Sequence, residues 1–466
     1  MTMDAAWRNQ LSLAGRRVHM TGIGGVGMAG LALLLKSRGH HVTGCDAGGG
    51  PLMAWLSSQG IENTLGHDPV HMAREKPDVI VRSPAVALDH PELAAARAAG
   101  IPIVDRGEAL PFVLASYQLA AVAGTHGKTT TASMLAWIMT CTGAPASFCI
   151  GGVCPNLGAV AGAHPAGVMV VEADESDGTL KHYAADVAVI TNMDLDHVDY
   201  FHDERAQVEV YGQFARRARH VVWSYADPVA QKLSASFASH DSFGLDPSAS
   251  VSASAISLRA DGASFQLHLQ GRAAALIELG VPGHHNVLNA LAATAAALRW
   301  HVSLEVIQSA LRSFRLPGRR FETVYEGRGR RVISDYAHHP VEIAALLNQA
   351  KLLKPRRMIA VFQPHRYSRT AAFKKEFARV LSSLDYLVLA PVYAASEPLV
   401  PGGTSDDLHA ACREAGIAPL ALANSLDEAW QHLRAASEDG DLVLIIGAGD
   451  VEKIGTWASD YWSNML

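Results

Sequence analysis

Apolar and polar positions fall in blocks along the 466-residue chain that predict strands and helices in turn. Short apolar runs at 17–22, 41–44, 78–82 and 101–104 are separated by longer segments with helical spacing. Strands and helices in alternation are typical of a parallel, doubly wound sheet. The pattern therefore predicts a first α/β domain over residues 1–108.

A second group of apolar runs, at 121–123, 167–171 and 186–190, predicts further parallel strands. The pattern then changes, because the segment 265–270 alternates apolar and polar residues. Alternation of this kind is typical of a strand with only one face in the core. We expect a central domain over residues 109–315, made of an α/β sheet with small antiparallel additions.

The last third of the chain returns to strands alternating with helices. Apolar runs at 331–334, 358–362, 386–390 and 442–446 are again separated by segments with helical spacing. They predict a third, parallel α/β domain over residues 316–466.

Composition narrows the class of protein. Hydrophobic residues make up 49% of the chain and charged residues 18%, as in soluble globular proteins, and the formal net charge of −6 argues against a general nucleic-acid or anionic-membrane binder. No stretch reaches the roughly 18 apolar residues of a membrane span, and the N-terminus lacks the apolar core of a signal peptide. We expect a cytoplasmic protein with no nucleic-acid or membrane partner.

Two further features predict structural roles. The five cysteines form no C-x-x-C pair, which argues against a zinc knuckle and against a disulfide framework. The run at 233–255 is rich in alanine and serine, and we expect it to be a surface loop.

A glycine-rich segment follows the apolar run at 121–123, and it reads Gly124, Thr125, His126, Gly127, Lys128, Thr129, Thr130. In such a loop the backbone N–H groups face a polyphosphate, the lysine bridges phosphates and the hydroxyl after it holds Mg²⁺. The usual pattern has a glycine where Val122 stands, so we expect a tighter loop. An ordinary glycine-rich turn is the alternative, but the flanking strand and helix favour a triphosphate site.

An earlier glycine-rich loop, at 22–27, follows the first predicted strand, and Asp46 ends the second. This G-x-G-x-x-G spacing with a later acidic residue is the Rossmann fingerprint, which alone suggests NAD or FAD. The same turn holds the diphosphate of any nucleotide conjugate, and glycines that only permit close packing are a further alternative. Since only the second loop carries a lysine and threonines, we expect one triphosphate and one nucleotide-linked substrate.

Polar residues directly follow several predicted strands, at Glu172 and in the segments 191–197, 335–340 and 363–370. Ligands of open α/β sheets bind at the carboxyl ends of the strands, so these residues are candidates for metal and phosphate binding. Loop formation and helix capping are the alternative for any single carboxylate among them.

Together these motifs resemble the Mur ligase family, and they occur in the family's order over nearly the whole chain. The resemblance is carried by the segments 24–28, 124–131, 172–177, 196–197, 285–286, 319–321, 335–340 and 365–369. It implies an α/β fold of three domains. These are an N-terminal Rossmann-like domain for a UDP-linked substrate, a central P-loop ATPase-like domain with small antiparallel β additions, and a C-terminal Rossmann-like α/β domain for an amino acid.

The resemblance implies an ATP-dependent ligase of peptidoglycan precursor synthesis that uses ATP and one or two Mg²⁺ ions and forms an acyl phosphate. The segments 25–28 and 172–177 are more similar to the branch that joins L-alanine to the lactyl carboxylate of UDP-N-acetylmuramate. They are less similar to the branch that attaches a ready-made tripeptide. We expect a monomer or a weak homodimer.

The resemblance also assigns roles to single residues. The chemistry is assigned to Lys128, His197, Arg366 and Arg369, and metal binding to Thr129, Glu172 and His197. Besides the loop at 124–130, ATP binding is assigned to Asn286, Asn289, Arg320 and Asp335. Substrate binding is assigned to Gly24, Gly25, Val26, Gly27, Met28, Asp46, His67, Ser83, Tyr336, His338 and His365. Interface ion pairs are the alternative for the charged residues, and helix capping is the alternative for Asn286.

Two other classes of protein compete with this reading. A nicotinamide-dependent oxidoreductase would account for the loop at 22–27 and for Asp46. A nucleotide-binding regulator without turnover would keep the same fold, but the presence of Lys128, Glu172 and His197 argues against it.

Overall fold

The computed structural model describes residues 3–164, 167–175, 178–194, 201, 203–327 and 329–464. The chain builds three sheets, each packed against helices, and the predicted three-domain α/β fold is confirmed. No helix within these described ranges has both the length and the apolar character to cross a membrane.

The N-terminal sheet has five parallel strands in the order β3-β2-β1-β4-β5. The strands are β1 Arg17–Thr21, β2 His41–Asp46, β3 Glu62–Leu65, β4 Val79–Arg82 and β5 Ile103–Asp105. The helices are α1 Met3–Ser12, α2 Val26–Ser37, α3 Pro51–Ser58, α4 Val70–Glu75, α5 Pro91–Ala98 and α6 Arg106–Leu114. The domain boundary predicted at 108 lies inside α6 and stays a prediction.

The central sheet has ten strands in the order β15-β14-β13-β12-β11-β10-β6-β9-β7-β8. The strands are β6 Gln118–Ala123, β7 Ser147–Cys154, β8 Ala159–Gly162, β9 Val168–Glu172, β10 Val187–Ile190, β11 His220–Ser224, β12 His240–Gly244, β13 Val251–Leu258, β14 Ala263–Leu269 and β15 Arg272–Leu279. The helices are α7 Lys128–Thr140, α8 Glu204–Arg217, α9 Pro228–Ser234, α10 His284–Leu298 and α11 Leu304–Ser313, with a 3₁₀ turn at Thr179–His182. As predicted, β14 is antiparallel to both its neighbours.

The prediction of a surface loop at 233–255 is wrong. This stretch contains β12 and the first half of β13, which extend the central sheet. Ser242 and Ser250 join the two strands, because each backbone N–H donates to the other residue's hydroxyl, at 3.2 and 3.1 Å. Buried serine and alanine residues surround the few large apolar residues, such as Phe243. Because large apolar residues are few, the sequence pattern does not indicate the two strands.

The C-terminal sheet has six strands in the order β16-β17-β21-β18-β19-β20. The strands are β16 Glu322–Gly327, β17 Arg330–Asp335, β18 Arg357–Phe362, β19 Tyr386–Leu389, β20 Leu420–Leu422 and β21 Asp441–Ile446. The helices are α12 Pro340–Lys351, α13 Tyr367–Leu381, α14 Ser405–Glu414, α15 Leu426–Ala436 and α16 Glu452–Ser463. The expectation of a wholly parallel sheet is wrong at one edge, where β16 pairs with β17 in antiparallel fashion.

The core of the central domain positions the phosphate loop. Strand β6 lies between β10 and β9 in the middle of the sheet, and its residues from Leu119 to Ala123 are buried. Helix α7 buries Met134, Leu135, Ile138 and Met139, as the helical spacing predicts. The loop between β6 and α7 is therefore held between two rigid, buried elements.

Candidate active site

The phosphate loop, residues 124–130, lies at the carboxyl end of β6. Gly124 and Gly127 have φ angles of 134° and 78°, which favour glycine. A Cβ atom at Gly124 would lie 1.9 Å from the Thr191 hydroxyl, which itself donates to the His126 carbonyl at 2.6 Å. Helix α7 begins at Lys128 without a side-chain cap, and such a helix start favours an anion.

Lys128 is held over this loop. Its Nζ donates to the carbonyl groups of Gly124 and Thr125, at 2.6 and 3.1 Å. It also forms an ion pair of 2.8 Å with Glu175, whose side chain is fully buried. Burial opposes a charge on Lys128, but the carboxylates of Glu175, Asp174 and Glu172 together outweigh burial and raise the pKa of the ammonium group. Lys128 therefore presents a permanent positive charge at the loop.

Thr129 and Glu172, two of the three predicted metal ligands, lie side by side. The Thr129 hydroxyl donates to Glu172 Oε1 at 2.9 Å, and the Gly151 N–H donates to Oε2 at 2.7 Å. Burial raises the pKa of the Glu172 carboxyl group, so a nearby cation would stabilise its charged form. A hydroxyl and a carboxylate are the oxygen ligands that Mg²⁺ prefers, so the pair fits this ion. The third predicted ligand, His197, lies outside the described residues.

A cavity of about 290 Å³ opens between the central and the C-terminal domains. It is lined on one side by His126, Gly127 and Thr130 of the phosphate loop and on the other by Asn286, Asn289, Arg320 and Asp335. The capping alternative for Asn286 is wrong, because Gly283 is the N-cap of α10 and the Asn286 amide donates to the Pro282 carbonyl at 2.7 Å. All the predicted nucleotide-binding residues outside the loop thus line one cavity.

The cavity combines an arginine with a buried carboxylate and a neutral imidazole. The Asp335 carboxylate accepts the N–H groups of Phe321 and Ala337, at 2.7 and 2.8 Å, and burial raises its pKa. Burial and the charge of Arg320 lower the pKa of His285 to about 4. His285 is therefore uncharged at neutral pH, and it offers a ring face and one N–H donor.

His126 joins the phosphate loop to the C-terminal domain. Its ring lies 3.2 Å from Glu342 on α12 and 3.3 Å from Asp194, which follows β10. Burial opposes protonation, but these two carboxylates raise the pKa of His126 to about 9. The imidazolium therefore bridges the two domains at neutral pH.

Three predicted substrate residues of the C-terminal domain lie in one row of rings. The ring of His338 lies 5.4 Å from that of Tyr336 and 5.6 Å from that of His365. The ring of His365 stacks on Tyr393 at 5.6 Å. Tyr336 also packs beneath the guanidinium group of Arg320, at 5.1 Å. The row connects the carboxyl ends of β17 and β18 to the cavity.

Arg366 and Arg369 lie at the start of α13. Arg366 has a φ angle of 70°, which costs a residue with a side chain about 1–3 kcal/mol and is most often found at functional sites. Its N–H donates to the Tyr393 carbonyl at 2.9 Å. Arg369 is buried and lies 3.1 Å from the His365 ring. The two guanidinium groups thus adjoin the row of rings.

The first glycine-rich loop joins β1 to α2 and contains Gly24, Gly25, Val26, Gly27 and Met28. The Asp46 carboxylate accepts the Gly24 N–H at 2.9 Å and the Gly48 N–H at 3.0 Å. Ser83 crowds Gly22, where a Cβ atom would lie 2.7 Å from the Ser83 Cβ. Asp46 and Ser83 follow β2 and β4, so they lie beside the loop at the same edge of the sheet.

His67, the remaining predicted substrate residue, lies in a buried polar cluster. Its Nδ1 is 3.0 Å from the Cys45 thiol and 3.4 Å from the Glu92 carboxylate. The loop that holds His67 follows β3, so the residue shares the edge of the sheet with Asp46.

The first glycine-rich loop also faces the central domain. Arg106 packs against Gly27 and lies 3.7 Å from Asp174, which follows β9. Helix α2 packs on β7 and β8, where a Cβ atom at Gly30 would lie 2.4 Å from Cys149 Sγ. The first glycine-rich loop therefore lies at the contact between the N-terminal and central domains.

Five residues that contact the predicted site residues were not predicted from the sequence: Arg106, Glu175, Asp194, Glu342 and Tyr393. Glu175 and Asp194 lie in segments that follow strands, and this position was their only signal. Glu342 forms a capping box with His339, but histidine is an unusual N-cap residue, so the pattern was not recognised. Tyr393 lies in a loop with no motif.

Comparison with known proteins identifies the same three parts. Residues 17–118 match the Mur ligase family, catalytic domain, residues 122–297 match the Mur ligase middle domain, and residues 319–449 match the Mur ligase, glutamate ligase domain. The resemblance inferred from the motifs is confirmed.

Relatives named UDP-N-acetylmuramate–L-alanine ligase match nearly the whole chain, and two of them serve as examples. The relative from Halorhodospira halophila is 40% identical over 447 residues, which cover 94% of this chain and 91% of the relative. The relative from Carboxydothermus hydrogenoformans is 37% identical over 443 residues, which cover 94% and 95%.

Solved structures show the same overall architecture. The UDP-N-acetylmuramate-alanine ligase of Thermotoga maritima has a TM-score of 0.83 and is 26% identical, over 97% of this chain and 100% of that one. A murein peptide ligase from Psychrobacter arcticus has a TM-score of 0.73 and is 28% identical, with the same coverage. From its motifs, its fold and these similarities, the chain belongs to the Mur ligase family.

Proposed function

We propose that this chain is an ATP-dependent ligase that joins L-alanine to the lactyl carboxylate of UDP-N-acetylmuramate. The products are UDP-N-acetylmuramoyl-L-alanine, ADP and phosphate, and the reaction belongs to peptidoglycan precursor synthesis. The observation that carries the proposal is the 35–40% identity to alanine ligases over more than nine-tenths of the chain. The phosphate loop with Lys128, Thr129 and Glu172 supports the ATP-dependent step.

In the first step the lactyl carboxylate attacks the γ-phosphate of ATP, which gives an acyl phosphate and ADP. Both reactants are anions, so their approach costs electrostatic energy. Lys128, held by Glu175, offsets this repulsion and the charge that spreads over the transferring phosphoryl group. Thr129, Glu172 and, by resemblance, His197 would hold Mg²⁺, which would add positive charge at the phosphates.

In the second step the amine of alanine attacks the acyl carbon, and phosphate leaves from the tetrahedral intermediate. Arg366 and Arg369 hold the carboxylate of the amino acid or the charge on the intermediate. The planar fork of an arginine side chain suits a carboxylate better than a lysine ammonium group does. One side of this subsite is lined by the aromatic rings of His365, His338 and Tyr336.

The nucleotide occupies the cavity between the central and C-terminal domains. Its triphosphate lies on the loop at 124–130, its base beside Asn286 and Asn289, and its ribose and phosphates beside Arg320 and Asp335. Because Arg320 and Asp335 belong to the C-terminal domain, bound ATP holds that domain against the loop. Closure of this kind keeps water from the acyl phosphate.

The UDP-linked substrate binds at the first glycine-rich loop. The start of α2 at Val26 accepts its diphosphate, and Asp46, His67 and Ser83 border the same edge of the sheet. This assignment gives residues 1–108 to the UDP-substrate, 109–315 to ATP and 316–466 to the amino acid.

A second candidate is a ligase that attaches a ready-made peptide to the same UDP-sugar. The similarity to the Psychrobacter arcticus murein peptide ligase favours it. The higher TM-score and the names of the full-length relatives favour alanine.

Phosphate release from ATP tests the proposed function. The full chain is assayed with UDP-N-acetylmuramate, Mg²⁺ and, in separate reactions, L-alanine, glycine, L-serine or the stem tripeptide. We expect the highest kcat/KM with L-alanine and dependence on the UDP-sugar. Release with the tripeptide alone would move the assignment to the peptide ligase, and release with none of the acceptors would overturn the proposal.

A further inference from the structure

A buried cluster of four potential metal ligands lies in the N-terminal domain, away from the phosphate loop. It consists of His19 on β1, Cys45 on β2, His71 on α4 and Glu92 on α5. All four residues are buried, and one ligand atom from each lies within 4.8 Å of all the others. Four elements that are distant in sequence thus converge on one point.

The distances within the cluster are close to those between ligands that share one tetrahedral ion. Glu92 Oε1 lies 3.2 Å from His19 Nε2 and 2.7 Å from His71 Nδ1, and Oε2 lies 3.2 Å from Cys45 Sγ. Bonds of about 2.0 Å to nitrogen or oxygen and about 2.3 Å to sulfur would separate tetrahedral ligands by roughly 3.3–3.6 Å. To bind one ion, the shortest of these contacts would lengthen by about 0.6 Å, and any separation near the 4.8 Å limit of the cluster would shorten.

Both histidines are already oriented by a threonine on their outer nitrogen. His19 Nδ1 lies 2.9 Å from the Thr43 hydroxyl, and His71 Nε2 lies 3.4 Å from the Thr64 hydroxyl. The inner nitrogens consequently face Glu92. Histidines that bind metals are held in the same way, since a partner on the second ring nitrogen sets the tautomer and the orientation.

The cluster also has the charge and chemistry for a divalent ion that accepts sulfur. In the described part of the chain, the ion-pair partners of Glu92 are histidines, and its side chain has no exposed surface. A thiolate and a carboxylate would together neutralise a 2+ ion. One sulfur, two imidazole nitrogens and one carboxylate oxygen are typical ligands of zinc and do not suit Mg²⁺.

We propose that His19, Cys45, His71 and Glu92 bind one Zn²⁺ ion as a structural site. All four positions of the tetrahedron are filled by the protein, and His67 covers the cluster with its Nδ1 3.0 Å from the thiol sulfur. The proposal is independent of the proposed function, because none of the four residues is assigned to the ligase reaction.

A bound ion would stabilise the conformation of the first glycine-rich loop. The Cys45 carbonyl accepts the N–H groups of Gly22 and Ile23, at 2.8 and 3.1 Å, and the next residue, Asp46, accepts the Gly24 N–H. An ion on Cys45 would therefore fix the strand end on which this loop turns. Loss of the ion should loosen the loop and weaken any ligand bound there.

Metal analysis of the untagged full chain tests the proposal. We expect about one zinc per chain after purification without chelators. Replacing zinc with Co²⁺ should produce the near-ultraviolet charge-transfer band of a cobalt thiolate. Cys45→Ser should abolish this band, whereas Cys412→Ser, at a buried cysteine of the C-terminal domain, should keep it. This band also separates the cluster from the Mg²⁺ site, which contains no sulfur.

Two further variants keep the test decisive if Cys45→Ser fails to fold. Thr43→Val leaves all four ligands in place and should weaken zinc affinity roughly 10- to 100-fold, as removal of an outer hydrogen bond does in other zinc proteins. His71→Asn should lose the ion while the protein stays folded by circular dichroism. A wild-type chain that binds neither added zinc nor cobalt would overturn the proposal, and so would a cobalt band that Cys45→Ser leaves unchanged.

Discussion

Lys128 and Glu175 form a charge pair in which each partner depends on the other. Lys128 offers the phosphate loop a positive charge, and Glu175, which is fully buried, holds that charge in place. Removal of one partner from a buried ion pair costs about 3–5 kcal/mol. A simple substitution of Lys128 would therefore damage stability and chemistry together.

A paired substitution separates these two effects. We expect Lys128→Met to lower kcat at least about 10³-fold, because the positive charge at the transferring phosphoryl group is lost. It should also lower the unfolding temperature. The double variant Lys128→Met/Glu175→Gln should recover the unfolding temperature without recovering kcat. If the double variant regained turnover, Lys128 would have a structural role only.

His126 is a second side chain whose charge state is set by its neighbours. Asp194 and Glu342 raise its pKa to about 9, compared with the ordinary value of 6.5. Since the folded state raises the pKa, the stabilisation is complete below pH 6.5 and is lost as the pH rises through about 9. The contact between the phosphate loop and α12 should weaken over the same range.

We expect thermal stability to fall between pH 6.5 and pH 9, by up to about 3 kcal/mol, as His126 loses its proton. His126→Gln should flatten this part of the pH profile, whereas His268→Gln, on β14 outside the cavity, should keep the wild-type slope. Thermal unfolding at a series of pH values, with histidine-selective NMR titration, measures both. A wild-type profile without a slope in this window would contradict the prediction.

Helix α13 begins next to a strained residue, Arg366, which we propose binds the amino acid. The helix begins directly after Arg366, whose φ angle of 70° is unfavourable for a residue with a side chain. Two glycines make room nearby, because a Cβ atom at Gly403 would clash with the Tyr367 backbone and one at Gly449 would clash with the side chains of Gln363 and Tyr393. The strained turn is therefore tightly packed, as expected for an arginine whose side chain is directed towards a ligand.

Two substitutions of Arg366 distinguish recognition from strain. Arg366→Lys should raise the KM for alanine roughly 10- to 100-fold and leave the KM for ATP unchanged, because a bidentate charged contact is lost. Arg366→Gly should raise the same KM while preserving or increasing the unfolding temperature, since glycine adopts this φ freely. Arg379→Lys, in the last turn of α13, is the matched control. An unchanged KM for alanine in both Arg366 variants would remove this arginine from the site.

Contacts between domains build the candidate site. The cavity beside the phosphate loop combines this loop with Arg320 and Asp335 of the C-terminal domain. The first glycine-rich loop faces Asp174 of the central domain through Arg106. Ligands that bind in such clefts stabilise the contacts between domains as well as each domain.

Nucleotide binding should therefore stabilise the whole chain through Arg320. A non-hydrolysable ATP analogue with Mg²⁺, at about 100 times its Kd, should stabilise the wild type by about 2.7 kcal/mol. Arg320→Ala should lose most of the shift in unfolding temperature at the same concentration. Arg315→Ala removes an exposed arginine from the same connecting segment and should keep the shift. Equal shifts in both variants would contradict a nucleotide that bridges the domains.

The local motifs could be predicted from the sequence because each is formed by residues that are close together in the chain. The loop at 124–130 turns on its own glycines, and the apolar spacing of α7 predicted its buried face correctly. The composition of the 233–255 segment does not indicate its two strands, because strands buried beside small residues need few large apolar side chains. The antiparallel edge strand β16 was missed, since its burial is only partial.

Contacts between segments that are distant in sequence could not be predicted from any local pattern. His126 and Glu342 are separated by 216 positions in the sequence, and His19 and Glu92 by 73 positions. No local sequence pattern predicts either pair. The absence of a C-x-x-C motif argued against a zinc knuckle, yet the proposed zinc site needs only one cysteine, because folding brings in its other ligands.

Hydrophobic periodicity was enough to predict the α/β class, and glycine spacing was enough to predict the two glycine-rich turns, because both depend on short-range backbone geometry. The family followed from the resemblance of motifs spread over nearly the whole chain. The partners of Lys128, the charge on His126, the row of rings beside Arg369 and the buried cluster around Glu92 emerged from the folded structure alone. Their physical basis is burial together with proximity across the sheets. Both of these set the strength of electrostatic interactions, and neither is encoded by residues that are adjacent in the chain.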